Sequence, residues 1–153
     1  MMVPLIILIV ITLAARGVGA LGLGYLDSWS AALAIGLAAM FTVTAISHWV
    51  QPRRDGLIAI VPAWVPHPKA VVTVTGALEM LGAFGLLLPP TRVAAAICLA
   101  ALLVAMFPAN VRAAHGVDHP AAPTTPLPLR TVLQVIFLAA AVFVAVTGMG
   151  SPR

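Results

Sequence analysis

Charge is what this chain has least of. Only 8% of its 153 residues are Asp, Glu, Lys or Arg, and only four of these are acidic. That scarcity excludes an ordinary soluble domain, in which about a quarter of residues are charged. Cysteine is nearly absent too. Cys98 stands alone, which excludes an intrachain disulfide and the paired thiols that a dithiol oxidoreductase cycles through. With no thiolate cluster and no histidine pair set to face across helices, neither an iron–sulfur nor a haem site is expected. The formal charge of +4 and the pI near 10.7 come from scattered Arg residues. No basic run interleaved with aromatics is present, so nucleic acid is not an expected partner. The sequence also lacks a G-x-S-x-G, a P-loop and an H-E-x-x-H.

What the chain has is apolar length. It is 62% hydrophobic with a mean hydropathy of +1.13, which makes the lipid bilayer its main solvent. Runs of the roughly 17–25 residues that cross a bilayer fall at 2–22, 30–50, 69–88, 92–111 and 129–146. The expectation is an all-α integral membrane helical bundle, one transmembrane domain over 1–153. Turn formers mark the helix limits: Asp27 and Ser28, Pro52, Pro66 and Pro68, Pro89 and Pro90, Pro126 and Pro128. Trp29, Trp49 and Trp64 fall at the same limits, as an aromatic belt requires.

The first run lacks a basic start, so we read it as a retained helix rather than a signal peptide. Its Arg16 either snorkels to the nearer interface or turns inward, where it reaches the depth of Glu79. The segment 54–65 starts charged and continues apolar but is too short to span. It is expected to lie in the interface or dip back in, as a lid over one end of the bundle. The proline-rich stretch "AAHGVDHPAAPTTPLP" is expected to be exposed and irregular. Counting Arg53, Arg54, Lys69, Arg112 and Arg130 on one side against Arg16, Arg92 and Arg153 on the other favours a cytoplasmic N-terminus.

The polar residues inside the apolar runs are few. Glu79, in "TVTGALEMLGAFGLLLPP", must be neutral, paired or lining a polar cavity, because a carboxylate facing lipid is expensive. Thr75, Gly76, Gly82 and Ala83 share its helix face and permit close helix approach. Alternating helix directions bring His48, Asn110, Arg130 and Gln134 within about two turns of one interface. They set Glu79 about 15 Å and Gln134 about 9 Å in from it. Glu79 and Gln134 are then expected to bracket a narrow polar pocket.

His48 suits a proton donor, a carbonyl partner, a metal ligand or a headgroup contact. Pro108 distorts its helix and frees a carbonyl for Asn110 or a ligand, or else it makes a simple kink with a helix-end cap. Arg130 and Gln134, one turn apart, suit an anionic or carbonyl group, or a phospholipid headgroup. His115, Asp118 and His119 have metal-ligand spacing only on a helical turn, which Gly116 and Pro120 oppose, so no metal site is assigned.

In this order, "HW", "IVPAWVPHP", "TGALEMLGAFGLLLPPTR", "LLVAMFPANVRAA" and "LPLRTVLQ" resemble the DoxX-like family of small membrane proteins, over about residues 48–138. Trp49 stands where that family commonly has phenylalanine, and the first helix is an addition. The resemblance implies a four-helix core plus one N-terminal transmembrane helix, with His48, Glu79, Asn110, Arg130 and Gln134 at the family's polar motif positions. It also implies a membrane redox or quinone context, and the family includes chaperones of membrane receptors.

Three functions follow as expectations. The first is a redox-associated accessory subunit rather than a complete enzyme. It binds a quinone-like or other amphiphilic ligand through His48, Glu79, Asn110, Arg130 and Gln134, with Glu79 relaying protons. The second is an assembly factor or structural subunit of a membrane complex. The third is a small-molecule or proton transporter, for which a homodimer would supply the missing symmetry. The Arg-biased basic set, with Lys69 the only lysine, and the abundance of Ala and Pro suit a multi-pass protein of a bacterial plasma membrane.

Overall fold

The computed structural model describes residues 2–150. Arg153, counted above in the charge balance, lies outside the described residues. Five long apolar helices are present, each long and apolar enough to cross a bilayer: α1 (Met2–Ala20), α2 (Trp29–Ser47), α4 (Pro68–Leu87), α5 (Arg92–Ala114) and α6 (Leu127–Met149). A two-turn helix, α3 (Arg53–Ala59), lies between α2 and α4, and a single 3-10 turn (Gly24–Leu26) joins α1 to α2. No strand occurs among the described residues. The protein is an all-helical, multi-pass membrane bundle.

Local chemistry sets the helix ends. The Ser28 hydroxyl caps α2 by accepting the Ala31 amide at 3.1 Å. Pro68 and Pro128 occupy first-turn positions of α4 and α6, where no amide hydrogen is needed. Pro89 and Pro90 stop α4, and the carbonyls left at its end are taken up by the next segment. The Thr91 hydroxyl donates to Gly85 O at 2.9 Å and Arg92 Nε to Leu86 O at 3.1 Å. The mid-helix hydroxyls of Thr42 and Thr75 bond back into their own helices, to Ala38 O at 2.8 Å and Val71 O at 2.9 Å, and so bring no unsatisfied donor into the apolar interior; Thr12 Oγ1 of α1, buried against α2, has no such partner.

Helices α2, α4, α5 and α6 close a four-helix ring, and α1 packs on the outside of α2. Leu37, Phe41, Leu86, Leu99, Leu133 and Val144 are fully buried at its centre. Close approach depends on missing side chains. A Cβ on Gly82 would lie 2.5 Å from the Leu99 side chain, and one on Gly36 would run into the Thr12 hydroxyl of α1.

At the end of the bundle where α1 finishes and α2 starts, Arg16 Nη1 meets Asp27 Oδ1 at 3.1 Å, and its guanidinium lies 5.7 Å from the Trp29 ring centre. Tyr25 donates to the Leu87 carbonyl and takes a bond from Arg92 Nη2 at 2.6 Å. Of the two placements expected for Arg16, this is the one at the nearer interface and not the inward turn to the depth of Glu79. Asp27, eleven residues on, is near enough to hold it at the bundle's end.

Candidate functional site

The opposite end holds the site. There α2 finishes, α4 starts, α5 finishes and α6 starts, with α3 and the 115–126 loop between them. A cavity of about 640 Å³ lies among these elements. His48, Glu79, Asn110, Arg130 and Gln134 all line it. Much of the remaining wall is apolar, including Met40, Phe41, Leu103, Met106 and Phe137.

The register differs from equal-depth reasoning. Counting along the helices separates His48, at the end of α2, from Glu79, three turns into α4. In the structure His48 Nδ1 stands 3.8 Å from Glu79 Oε2. The cause is a stagger: α4 overhangs the end of α2 by about eight residues, roughly 12 Å at 1.5 Å per residue. Gly76 permits it, since a Cβ there would lie 2.5 Å from His48 Cβ and 3.3 Å from the Trp49 ring. α3 packs on the overhang. Arg54 Nη2 donates to Thr73 Oγ1 at 2.9 Å, and Nη1 donates to the His48 carbonyl at 2.5 Å.

Glu79 is 3% exposed, and its Oε2 has no hydrogen-bond partner. The Thr44 side chain lies against the same carboxyl group. His48 is 6% exposed, and its Nδ1 donates to the Thr44 carbonyl at 3.0 Å. Just beyond the end of α2, burial pushes the imidazole pKa below its ordinary value. Backbone bonds to Thr44 and Ala45 oppose this shift, and the nearby Arg54 charge adds to it. The ring is therefore neutral near pH 7. The bond to Thr44 places its proton on Nδ1 and leaves Nε2 as an acceptor.

Arg130 is the largest fully buried side chain, 1% exposed. Its Nε donates to Thr125 O at 2.7 Å, Nη1 to Asn110 Oδ1 at 3.0 Å and Nη2 to Pro123 O at 2.9 Å. Three of the guanidinium's five N–H groups thus hold the α5–α6 loop and α5, while Arg130 and Gln134 both line the cavity. Gln134 donates through Nε2 to Leu103 O at 2.5 Å and accepts from Asn110 Nδ2 at 3.4 Å. Asn110 thus bridges to α6 rather than capping its own helix, and α5 continues past Pro108 to Ala114.

The segment after α3 forms a wall of the cavity through Leu57, Ile60, Val61, Trp64 and Val65. The 115–126 loop is irregular, but it is not simply exposed. Ala121, Ala122 and Pro123 are half-buried, and the Ala121 carbonyl sits where a Gly56 side chain would be. His115 Nδ1 bonds Val111 O at 2.8 Å, and His119 Nδ1 accepts the Ala121 amide at 3.2 Å. Among the described residues no three His, Cys, Asp or Glu side chains gather as metal ligands.

Sequence reasoning missed Thr44, and it took Thr75 only as a small neighbour on the Glu79 face. The two threonines recur on the Glu79-facing sides of α2 and α4, and Arg54 was read only as interfacial charge.

Fold and site together define a multi-pass helical bundle with one large cavity, apolar in most of its wall, around a buried carboxyl. Residues 37–145 match the family model described as a domain of unknown function, DUF8561. The chain belongs to that family, and the matched region takes in every one of the five residues above and leaves out α1. No curated protein and no solved structure matches the chain.

Proposed function

We propose that this chain is a DoxX-like accessory protein of the bacterial plasma membrane that holds the polar head of a quinone-like or similar amphiphile at Glu79. One observation carries the reading: Glu79 Oε2 is buried and unpartnered in a wall of the 640 Å³ cavity. A buried polar atom left without a partner costs about 1–3 kcal/mol. A ligand that completes its bonding recovers that cost. The volume falls within the roughly 300–1,000 Å³ typical of small-molecule sites, and an apolar wall with few polar groups suits an amphiphile. Glu79 is the group that exchanges a proton with the bound head. Because the sequence offers no thiolate cluster or facing histidine pair, electrons pass to or from a partner protein. We orient the cavity end toward the cytoplasm, where Arg53, Arg54, Lys69 and Arg112 gather.

Mass spectrometry of organic extracts from purified wild-type and Glu79→Ala protein, matched for detergent and helix content, tests the reading. The expected result is a near-stoichiometric amphiphile in the wild type that is lost in the variant. Identical extracts would move the assignment to an assembly or structural subunit.

A further inference from the structure

We infer that the head this cavity selects is a hydroxyl, of the phenol or alcohol class, rather than a bare carbonyl or ether. The inference rests on the ligand-binding reading above and narrows its quinone-like head to the reduced, hydroxyl-bearing form.

The buried donors around Glu79 are already engaged, and the spare ones, on Arg53 and the Trp64 indole, belong to exposed residues of the cavity lining. Arg130 donates to two loop carbonyls and to Asn110, and Gln134 donates to the Leu103 carbonyl. The Thr44 hydroxyl donates to Phe41 O at 3.0 Å, the Thr75 hydroxyl to Val71 O at 2.9 Å and the Ser47 hydroxyl to Val43 O at 3.3 Å. His48 spends its Nδ1 proton on Thr44 O. The polar atoms left over beside the buried carboxyl are Glu79 Oε2 and Nε2 of the neutral His48 ring, the second of which only accepts. A carbonyl head, which only accepts, pairs with the carboxyl only when Glu79 is protonated and leaves His48 Nε2 unpaired.

Whereas a carbonyl fits in one protonation state of Glu79, a hydroxyl fits in both. It donates to an ionised Glu79 and accepts from a protonated one, so it pairs with the carboxyl in either state. An ether keeps the bulk and apolarity of a phenol but has lost the donor. A site whose buried acceptor stays unpaired rejects such an analogue by about tenfold or more. Met40, Phe41, Leu103, Met106 and Phe137 supply the apolar surface for ring and tail.

The test is a binding titration on the full chain in detergent, read by fluorescence of Trp64, which lines the cavity. The probes are para-hexylphenol, its methyl ether, the matching para-hexyl ketone and hexylammonium, with a Trp64→Phe variant as the blank. Expected is saturable phenol binding about tenfold or more tighter than ether or ketone, with that advantage lost in Glu79→Ala and reduced in Glu79→Gln. The Gln variant keeps the shape of the side chain and so controls for folding. Phenol, ether and ketone saturating equally would overturn the hydroxyl assignment and leave the cavity reading standing. Hexylammonium binding tightest would also overturn it, in favour of a cationic head. If no probe saturates, the cavity reading itself fails.

Discussion

Arg130 Nη1 donates to Asn110 Oδ1 across 3.0 Å, and through that bond α6 holds the far end of α5 while the same guanidinium holds two carbonyls of the intervening loop. Arg130→Met strips donors from all three acceptors. At about 1 kcal/mol or more for each group left unpaired, the variant loses about 3 kcal/mol of stability. Thermal unfolding in detergent measures the loss, and amide hydrogen exchange over 117–126 accelerates. Glu79→Gln loses less than about 1 kcal/mol by the same assay, because Oε2 has no protein partner to lose.

Gly76 is the contact that lets His48 stand beside Glu79. A Cβ at this position lies 2.5 Å from His48 Cβ and 2.9 Å from Cγ, so Gly76→Ala forces the helices apart or turns the imidazole away. We expect a loss of about 1–3 kcal/mol together with weakened ligand binding. Gly17, with nothing within 4 Å of the equivalent Cβ, tolerates alanine without loss. Equal melting temperatures for the two variants would contradict the close approach.

Protonation of His48 opposes folding. Its folded pKa lies below the ordinary value of 6.5 because of burial, so the unfolded chain takes up the proton first as the pH falls. The contribution is full above about pH 6.5 and is lost below it, down to the folded pKa. Within a Glu79→Gln background, which removes the neighbouring carboxyl, the melting temperature falls between about pH 7.5 and about pH 5. Adding His48→Gln makes that fall smaller. An unchanged fall would mean that the ring titrates at its ordinary value in the folded state.

The far end of the bundle behaves differently. Arg16 and Asp27 form a pair whose side chains are 28% and 63% exposed, and exposed pairs contribute about 0–1 kcal/mol. Arg16→Ala therefore changes stability by less than about 1 kcal/mol and leaves ligand binding intact. A large loss of binding would place Arg16 in contact with the cavity, against the geometry.

Much of the bundle is written in the sequence because lipid punishes alternatives. Apolar runs of spanning length must be helical, and Pro68, Pro89 and Pro128 fix where α4 and α6 start and α4 stops. Polar side chains in such runs have few places to go. The same physics gathers His48, Glu79, Asn110, Arg130 and Gln134 at one cavity. The stagger of α4 past α2 was not legible, because helix limits give lengths and not relative heights. It turns on Gly76, which looks like any other small residue in that helix. The employment of Arg130 was hidden for a related reason: its partners at Pro123 and Thr125 are backbone carbonyls of an irregular loop, and no side-chain pattern announces them.

The most direct test of a ligand in the Glu79 cavity is photolabelling in bilayers, using a diazirine-bearing alkyl probe with a phenol head and its methyl-ether counterpart. The account predicts phenol-probe adducts within 40–48, 102–110 and around Trp64, strongly reduced in Glu79→Ala. Adducts confined to lipid-facing residues such as Leu81 and Phe84, equal for both heads and unchanged by the substitution, would contradict it.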